Sequence, residues 1–216
     1  MKAPWYAIYA ISSSDTVMVN PCSLSILTRG CKSGDLSVTR ASARDLLLLE
    51  DIPDEDAAKL AALANDPIIW RNVGSHSCPH PYTKESALEF MHLNREMFRK
   101  RFRFDFYIHY RDDLCGIIEV SDINYEDRNA HVGYWIGSGY RNRGIATESL
   151  RLICGFAHAH LRLHKLHTRV LSFNVQSMQV LISNGFFIEG YLRDHFYLDG
   201  QYYGFYSMGK ILEEKQ

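Results

Sequence analysis

The sequence lacks an excess of charge of either sign. Its 24 lysine and arginine residues face 25 aspartate and glutamate residues, which leaves a net charge of −1. Because nucleic-acid-binding proteins carry a basic patch or stripe, this balance predicts no nucleic-acid partner. Long apolar runs are also missing, since none approaches the ~18 residues of a transmembrane helix. We therefore expect no membrane partner.

The sequence also shows no clear secretory signal and no cysteine pattern typical of a disulfide framework. Residues 3–11 are apolar and aromatic, but neither a leucine-like run nor a small-x-small cleavage site is evident. There are five cysteines, and no two of them form a Cys-x-x-Cys pair. This usage suits a reducing compartment better than a disulfide framework, so we expect a cytoplasmic protein.

The sequence gives only a weak indication of a metal site. His160, His164 and His167 have near-helical spacing, but the helix that carries the first of them should end near residues 161–163. That end breaks the shared face, and no fourth ligand is evident. We predict no metal site.

The length and the apolar content are sufficient for one domain. The chain has 216 residues, of which 46% are hydrophobic. Serine, threonine and glycine are frequent between residues 12 and 42, so residues 1–44 are predicted to form a flexible tail. The folded domain is predicted over residues 45–212. Within it, residues 102–110 alternate like an antiparallel strand with one buried face, and Asp199-Gly200 predicts a hairpin.

The most informative stretch predicts a strand, a glycine-bearing turn and the start of a helix. Residues 131–136 alternate as in a strand, and apolar residues recur at three- and four-residue steps after Ile145. The unpaired amides and the positive dipole end of a helix at such a corner can hold a phosphate. The alternative is an ordinary structural corner whose glycines only permit the turn.

Spacing distinguishes between phosphate ligands. A kinase-type P-loop needs Lys-Ser or Lys-Thr after its last glycine, and this chain has an Ile-Ala pair there. The first two glycines of a dinucleotide-binding fingerprint are present in Gly137-Ser138-Gly139, but Asn142 takes the place of the third glycine. The run that remains, Arg141-x-x-Gly144-x-Ala146, resembles the signature of the GNAT superfamily of acyl-CoA N-acyltransferases. The resemblance implies acetyl-CoA as co-substrate, with its pyrophosphate held by the loop amides.

The same resemblance implies the residues that bind the cofactor. Asn142 stands where relatives often carry glycine, and asparagine tolerates left-handed backbone. The main-chain amides of Trp135 and Ile136 would pair with the pantetheine arm if the neighbouring strands splay, and Asn174 would bond to the same arm. The loop contacts would come from Arg141, Asn142, Arg143, Gly144, Ile145, Ala146 and Thr147, with the two arginine side chains able to add phosphate contacts.

A second group of motif residues indicates one branch of the superfamily. Asn174-x-x-Ser177, followed by Gly185-Phe186-x-x-Glu189-Gly190, resembles the RimJ/RimL branch of the superfamily. The two blocks occur in the expected order within residues 45–212. The resemblance implies the GNAT fold, which is a mixed α/β architecture with a mixed, mostly antiparallel central sheet and helices on both faces.

Two residues are candidates for proton transfer. Glu119 lies in an apolar strand, where burial beside the cofactor would raise the pKa of its carboxyl and suit it as general base. Its alternative is an exposed carboxylate paired with a neighbour. Ser177 matches the position where RimL-like members use a serine, so it is the candidate proton donor to the CoA sulfur. Its other role would be a helix N-cap, and many relatives carry a tyrosine where this chain has Leu181.

The acceptor of the acetyl group is the feature that the sequence determines least. The resemblance implies direct attack by a primary amine in a ternary complex, with a protein or peptide N-terminal amine as acceptor. A polyamine or other small amine is the close alternative, because Phe196 and Gly204 stand where relatives carry acids and so leave the choice of substrate open. A CoA-binding module without catalysis is another alternative, which the missing tyrosine at Leu181 and the missing glutamate at Phe196 suggest. The basic run Arg99-Lys100-Arg101-x-Arg103 is interpreted as a solvated connector, and a homo-oligomer is compatible with the sequence. Further polar candidates on the substrate-side strand are Tyr191, Asp194, His195 and Tyr197.

Overall fold

The computed structural model describes residues 40–43, 45–73 and 80–212. Its strands are β1 (Arg40–Ala43), β2 (Leu46–Leu49), β3 (Phe104–Tyr110), β4 (Asp113–Asn124), β5 (Asn129–Ile136), β6 (Lys165–Leu171), β7 (Phe187–Leu198) and β8 (Gln201–Ile211). They form one sheet in the order β1-β2-β3-β4-β5-β6-β8-β7. Only the pairing of β5 with β6 is parallel among these strands. The predicted mixed, mostly antiparallel sheet is confirmed.

Five α-helices belong to the described part of the chain. They are α1 (Ala57–Ala64), α2 (Pro67–Val73), α3 (Lys84–Lys100), α4 (Ile145–Ala159) and α5 (Val175–Ser183). Leu60 of α1 and Met91 of α3 pack with Tyr107 and Ile117 on one face of the sheet. Residues of α4 and α5 share a separate apolar cluster with the alternate residues of β3, β4 and β5. The predicted helices on both faces are therefore confirmed, and none is long and apolar enough to cross a membrane.

The sheet begins earlier than the predicted domain. β1 lies at residues 40–43, within the segment assigned to the tail, and each of its four residues pairs with one residue of β2. An added strand satisfies backbone groups that the outer edge of β2 would otherwise leave unpaired. The tail was predicted for residues 1–44, and its residues 1–39 and 44 lie outside the described residues.

The prediction that residues 102–110 bury only one face is wrong. All residues of β3 except the last are buried, and Asp105 and Tyr107 of the supposedly outer face are 1% and 0% exposed. The reason is that β3 lies in the interior of the sheet with helices packed on both of its faces. Such strands bury polar residues together with apolar ones when the polar groups find partners.

A β-bulge sets the register between β3 and β4. His109 pairs with Leu114, but the residue before it in β3, Ile108, pairs with Gly116, so Cys115 is an extra residue on β4. A one-residue change of register moves every following side chain to the other face of the sheet. Beyond the bulge, Glu119 lies directly opposite Asp105.

Candidate active site

The corner between β5 and α4 has the geometry of an anion seat. Asn142 and Gly144 adopt positive φ angles of 60° and 75°, so the asparagine takes the left-handed backbone expected of it. The first bond that closes α4 is donated by the N–H of Glu148 to the carbonyl of Gly144, at 3.0 Å. The N–H groups of residues 145–147 precede that bond, and they stand at the positive end of the helix dipole.

The side chain of Arg141 braces this loop from inside the protein. Its Nε donates to the carbonyl of Ile136 at 3.0 Å, and its Nη2 donates to Asp66 Oδ2 at 2.8 Å. Asp66 lies between α1 and α2, so the ion pair joins the loop to the helical layer. The guanidinium is engaged with protein groups, whereas the side chain of Arg143 is exposed beside the ring of Tyr140.

Next to this loop, two neighbouring strands separate. β5 and β6 pair over three residues, from Asn129 opposite Lys165 to His131 opposite His167. β5 then continues to Ile136, and β6 continues to Leu171 along β8. The two strands therefore leave a wedge-shaped gap in the sheet that opens toward the loop. A cleft lined by residues of both strands, the loop and α5 occupies this region.

The alternation of β5 determines which amides face the gap. The N–H of Gly137 donates to the carbonyl of Cys115 on β4, at 2.8 Å. Since backbone groups of successive strand residues point to opposite edges, the N–H of Trp135 is directed to β4 and that of Ile136 to the gap. Of the two amides predicted to bind the pantetheine arm, the amide of Ile136 has the suitable direction.

Glu119 points to the α1–α3 face of the sheet at the level of the gap. Its residue opposite on β5 is Gly133, where a Cβ atom would lie only 3.0 Å from Glu119 Oε1, so the glycine makes room for the carboxylate. Ser121 donates to the same oxygen at 3.4 Å, and Nδ1 of His131 lies 3.8 Å from it. The other carboxylate oxygen accepts a short hydrogen bond from Arg103.

Arg103 joins Glu119 to a second, fully buried carboxylate. Its Nη2 also donates to Asp105 Oδ1 at 2.7 Å. Burial raises the pKa of Asp105 to about 7, although Arg103 opposes this shift. Burial alone would lower the pKa of Arg103, but Asp105 and Glu119 raise it above its ordinary value. The interpretation of residues 99–103 as a solvated connector is therefore wrong for Arg103, whose side chain is only 20% exposed.

His131 extends the group of polar side chains formed by Glu119, Arg103 and Asp105 toward β6. Its Nδ1 lies 3.2 Å from the Ser121 hydroxyl and its Nε2 lies 3.4 Å from the Thr168 hydroxyl. Burial lowers the pKa of His131, so the imidazole is neutral at neutral pH. Polar groups from β3, β4 and β5 thus meet on one face of the sheet, and Thr168 of β6 contacts them at the start of the gap.

The opposite face of the gap carries two hydroxyl groups. Tyr134 of β5 donates to the carbonyl of Ser177 at 3.2 Å, and the two hydroxyl oxygens lie 3.0 Å apart. Burial raises the pKa of Tyr134 to about 12, so the phenol keeps its proton at neutral pH. Leu181, which takes the place of the tyrosine common in relatives, is fully buried.

Asn174, and not Ser177, is the N-cap of α5. Its side-chain oxygen accepts from the N–H of Ser177 at 3.2 Å. The suggestion that Ser177 caps this helix is therefore wrong, since Ser177 is already the third residue of α5. The cap uses the oxygen of Asn174 and leaves its amide NH₂ for another partner, such as the predicted pantetheine arm.

Of the four polar candidates on β7, the structure places one at the cleft. His195 lines it, with its ring 5.9 Å from that of Phe205. Tyr191 instead covers Gly204, where a Cβ atom would overlap its hydroxyl group. This packing gives Gly204 a structural reason to lack a side chain. Within the described ranges, no group of three or more His, Cys, Asp or Glu residues has the geometry of a metal site.

Comparison with known proteins assigns this chain to a family. The acetyltransferase (GNAT) domain matches residues 47–187. The ribosomal-protein-serine acetyltransferase of Escherichia coli (strain K12) is 34% identical over 99 residues, which are 45% of this chain and 54% of that protein. The spermidine N(1)-acetyltransferase of the same strain is 30% identical over 90 residues, 42% of this chain and 48% of that protein. The chain thus spans about half the length of these curated relatives.

The fold has solved counterparts as well. Mycobacterium smegmatis RimJ in complex with CoA-disulfide matches with a TM-score of 0.73 at 21% identity, over 82% of this chain and 88% of that chain. At this identity the match concerns the fold. Together with the family match over most of the described residues, it leads to one conclusion. The chain belongs to the GNAT acetyltransferase family.

Proposed function

We propose that this protein transfers the acetyl group of acetyl-CoA to the α-amine of a protein or peptide N-terminus. The observation that carries the proposal is the gap between β5 and β6, which has a carboxylate on one face and hydroxyl groups on the other. A thioester in such a gap is open to attack from one face, and its sulfur can receive a proton from the other.

The loop residues fit the phosphates of the co-substrate. The amides of residues 142–147 and the dipole of α4 would hold the pyrophosphate, and the N–H of Ile136 would bond to the pantetheine arm. Asn174 would add a side-chain donor to the same arm. Arg141 would hold the loop in place through Asp66, and the exposed Arg143 would reach a phosphate directly.

Glu119 and Ser177 have the proposed proton-transfer roles. Glu119 would take a proton from the acceptor ammonium, directly or through water, so that the nitrogen lone pair can attack the carbonyl carbon. A C–N bond forms, the C–S bond breaks, and the thiolate of CoA leaves. The attached nitrogen loses its second proton to solvent as the amide forms. Ser177 would give the thiolate a proton, and Tyr134, hydrogen-bonded to Ser177, would position the serine hydroxyl and relay a replacement proton from solvent.

The acceptor proposal rests on the site and on the relatives. An α-amine has a pKa of about 7.7–8.0, so roughly a quarter to two fifths of it is already neutral at pH 7.5, whereas a lysine-type amine near 10.4 is almost fully protonated. Glu119 shares its charge with Arg103, which suits an acceptor that needs little help with deprotonation. The relatives include both a ribosomal-protein and a spermidine acetyltransferase, so a polyamine is the competing candidate.

An acceptor panel tests this function. The protein is incubated with acetyl-CoA and with a peptide that has a free α-amine, the same peptide with a blocked α-amine and a free lysine, or spermidine. We expect acetylation of the first peptide at the α-amine, detected by mass spectrometry. Preference for spermidine would favour the polyamine alternative. Binding of CoA without acetylation of any acceptor would favour the non-catalytic module.

Loss of either hydroxyl at the α5 face should slow turnover. We expect Ser177→Ala and Tyr134→Phe each to lower kcat by about 10- to 100-fold with little change in the KM for acetyl-CoA, because the thiolate loses its proton source. Since the two groups act as a unit, the double variant should be no slower than the slower single variant. Ser183→Ala, at the exposed end of α5, is the matched control. Unchanged kcat in both single variants would contradict the role of this pair.

A further inference from the structure

The side chain of Arg103 occupies the acceptor side of the site. Its guanidinium donates to the buried carboxylate of Asp105 at 2.7 Å and to the carboxylate of Glu119. The side chains of Arg103 and Glu119 are 20% and 22% exposed, so this pairing takes place largely out of water. A fixed positive charge therefore lies beside the carboxylate to which an acceptor ammonium must come.

The cluster around Arg103 has little net negative charge. Arg103 contributes one positive charge, and Glu119 supplies one negative charge as a carboxylate. Burial disfavours ionisation of Asp105, and His131 is neutral because burial lowers its pKa. Without Arg103, the same cluster would attract cations much more strongly, because both carboxylates would lack their common partner.

The other carboxylates of the cleft do not offer a second buried cation site. Glu189 is bound by Lys165, with oxygen and nitrogen atoms 2.7 Å apart. Asp122 and Glu126 lie at and beyond the end of β4, where both are exposed to solvent and to salt screening. Among the described residues that line this cleft, Glu119 and Glu189 are thus each paired with a protein cation. The charge of the exposed Asp122 also acts on Arg103 and His131.

We propose that Arg103 determines acceptor specificity by excluding polycationic amines from this site. An acceptor with one ammonium at its reacting end can approach Glu119, but a polyamine brings a second ammonium into a cleft whose partly buried carboxylates are already paired with cations. That ammonium loses hydration beside the Arg103 guanidinium, and only the exposed, solvent-screened carboxylates of the cleft remain to compensate it. The inference rests on the proposed function and narrows its acceptor to monocationic α-amines.

The test compares variants that remove or keep this charge. Arg103→Gln removes it, and Arg103→Gln with Asp105→Asn also removes the buried acid that would lose its cation. Arg103→Lys keeps the charge, and Arg99→Gln removes an exposed arginine from the same basic run. The readout is the ratio of kcat/KM for spermidine to kcat/KM for the α-amine peptide, measured at two salt concentrations. Thermal melting checks that each variant is folded.

We expect both variants without the Arg103 charge to raise this ratio at least about tenfold, and more at low salt, because the repulsion is electrostatic. The Arg103→Lys and Arg99→Gln variants should keep the ratio of the unchanged protein. An unchanged ratio in the folded double variant, or a preference of the unchanged protein for spermidine, would overturn the inference.

A binding measurement separates this inference from the proposed function. The CoA-bound protein is titrated with spermidine by calorimetry, which needs no turnover. At least about tenfold tighter binding to the double variant than to the unchanged protein supports the role of Arg103, and equal affinity contradicts it. Failure of every acceptor in the panel would count against acetyl transfer, and it would leave this binding comparison to decide the role of Arg103.

Discussion

Replacement of Gly144 by aspartate is expected to raise the KM for acetyl-CoA by at least about 100-fold. Gly144 has a φ of 75°, where side chains with a Cβ are strained, and it immediately precedes α4. The new carboxylate would lie at the helix N-terminus, where the proposed pyrophosphate is held, and would repel it. Strain and repulsion together account for roughly 3 kcal/mol, which corresponds to this change in affinity.

Gly200 provides a matched control for Gly144. It has a φ of 83° at the tip of the β7–β8 hairpin, and no atom lies within 4 Å of a Cβ built there. Gly200→Asp therefore adds the same charge and similar backbone strain away from the loop. We expect it to lower the melting temperature while keeping the KM for acetyl-CoA within about twofold. Equal effects of both variants on KM would show that strain alone, and not the loop, is responsible.

Replacement of Glu119 by glutamine should lower kcat by at least about tenfold near pH 7, because the acceptor ammonium loses its proton acceptor and only about a tenth of an α-amine is neutral at that pH. Glutamine keeps the size of the side chain and can still accept from Arg103. If the acceptor is an α-amine, the defect should shrink above pH 8, since the amine then loses its proton to water. With a polyamine, the defect would persist to much higher pH.

Glu96→Gln is the control for this substitution. Glu96 lies on the exposed side of α3 and pairs with Lys100, so its loss removes the same charge far from the gap. Its kcat and pH profile should match those of the unchanged protein. A Glu119→Gln variant with normal kcat at pH 7 would rule out Glu119 as the base and would direct attention to His131, whose ring nitrogen lies 3.8 Å away.

The loop could be predicted from the sequence because its chemistry is local. A left-handed backbone at Asn142, a glycine before the first helical residue and the helix that follows depend on neighbouring residues only. The mixed, mostly antiparallel sheet followed from the family resemblance that the motifs carry. The location of Glu119 in β4 was also predictable, because the apolar residues around it indicate a strand.

The partners of Glu119 could not be predicted, because they depend on the bulge at Cys115. An uninterrupted hairpin would continue the pairing of Tyr110 with Asp113 and would place Glu119 opposite Phe104, on the other face of the sheet. The extra residue brings Glu119 opposite Asp105, and the two acids then share Arg103. A bulge of this kind leaves little trace in the alternation of a strand that is buried on both faces.

Tyr134 was overlooked for a similar reason. In the sequence it is one β-former among several in β5, and its hydroxyl finds Ser177 only because α5 packs across the gap, 43 residues further along the chain. The burial of β3 and the pairing of β1 likewise depend on elements distant in sequence. Tertiary packing, and not local propensity, determines these features.

Amide hydrogen exchange with and without acetyl-CoA tests the central claim most directly, because the claim is that main-chain N–H groups hold the co-substrate. Saturating acetyl-CoA should slow exchange at residues 142–147 and at Ile136, while the β7–β8 hairpin tip stays unchanged. Unaltered exchange in the loop at millimolar acetyl-CoA, or protection confined to other parts of the sheet, would contradict the account.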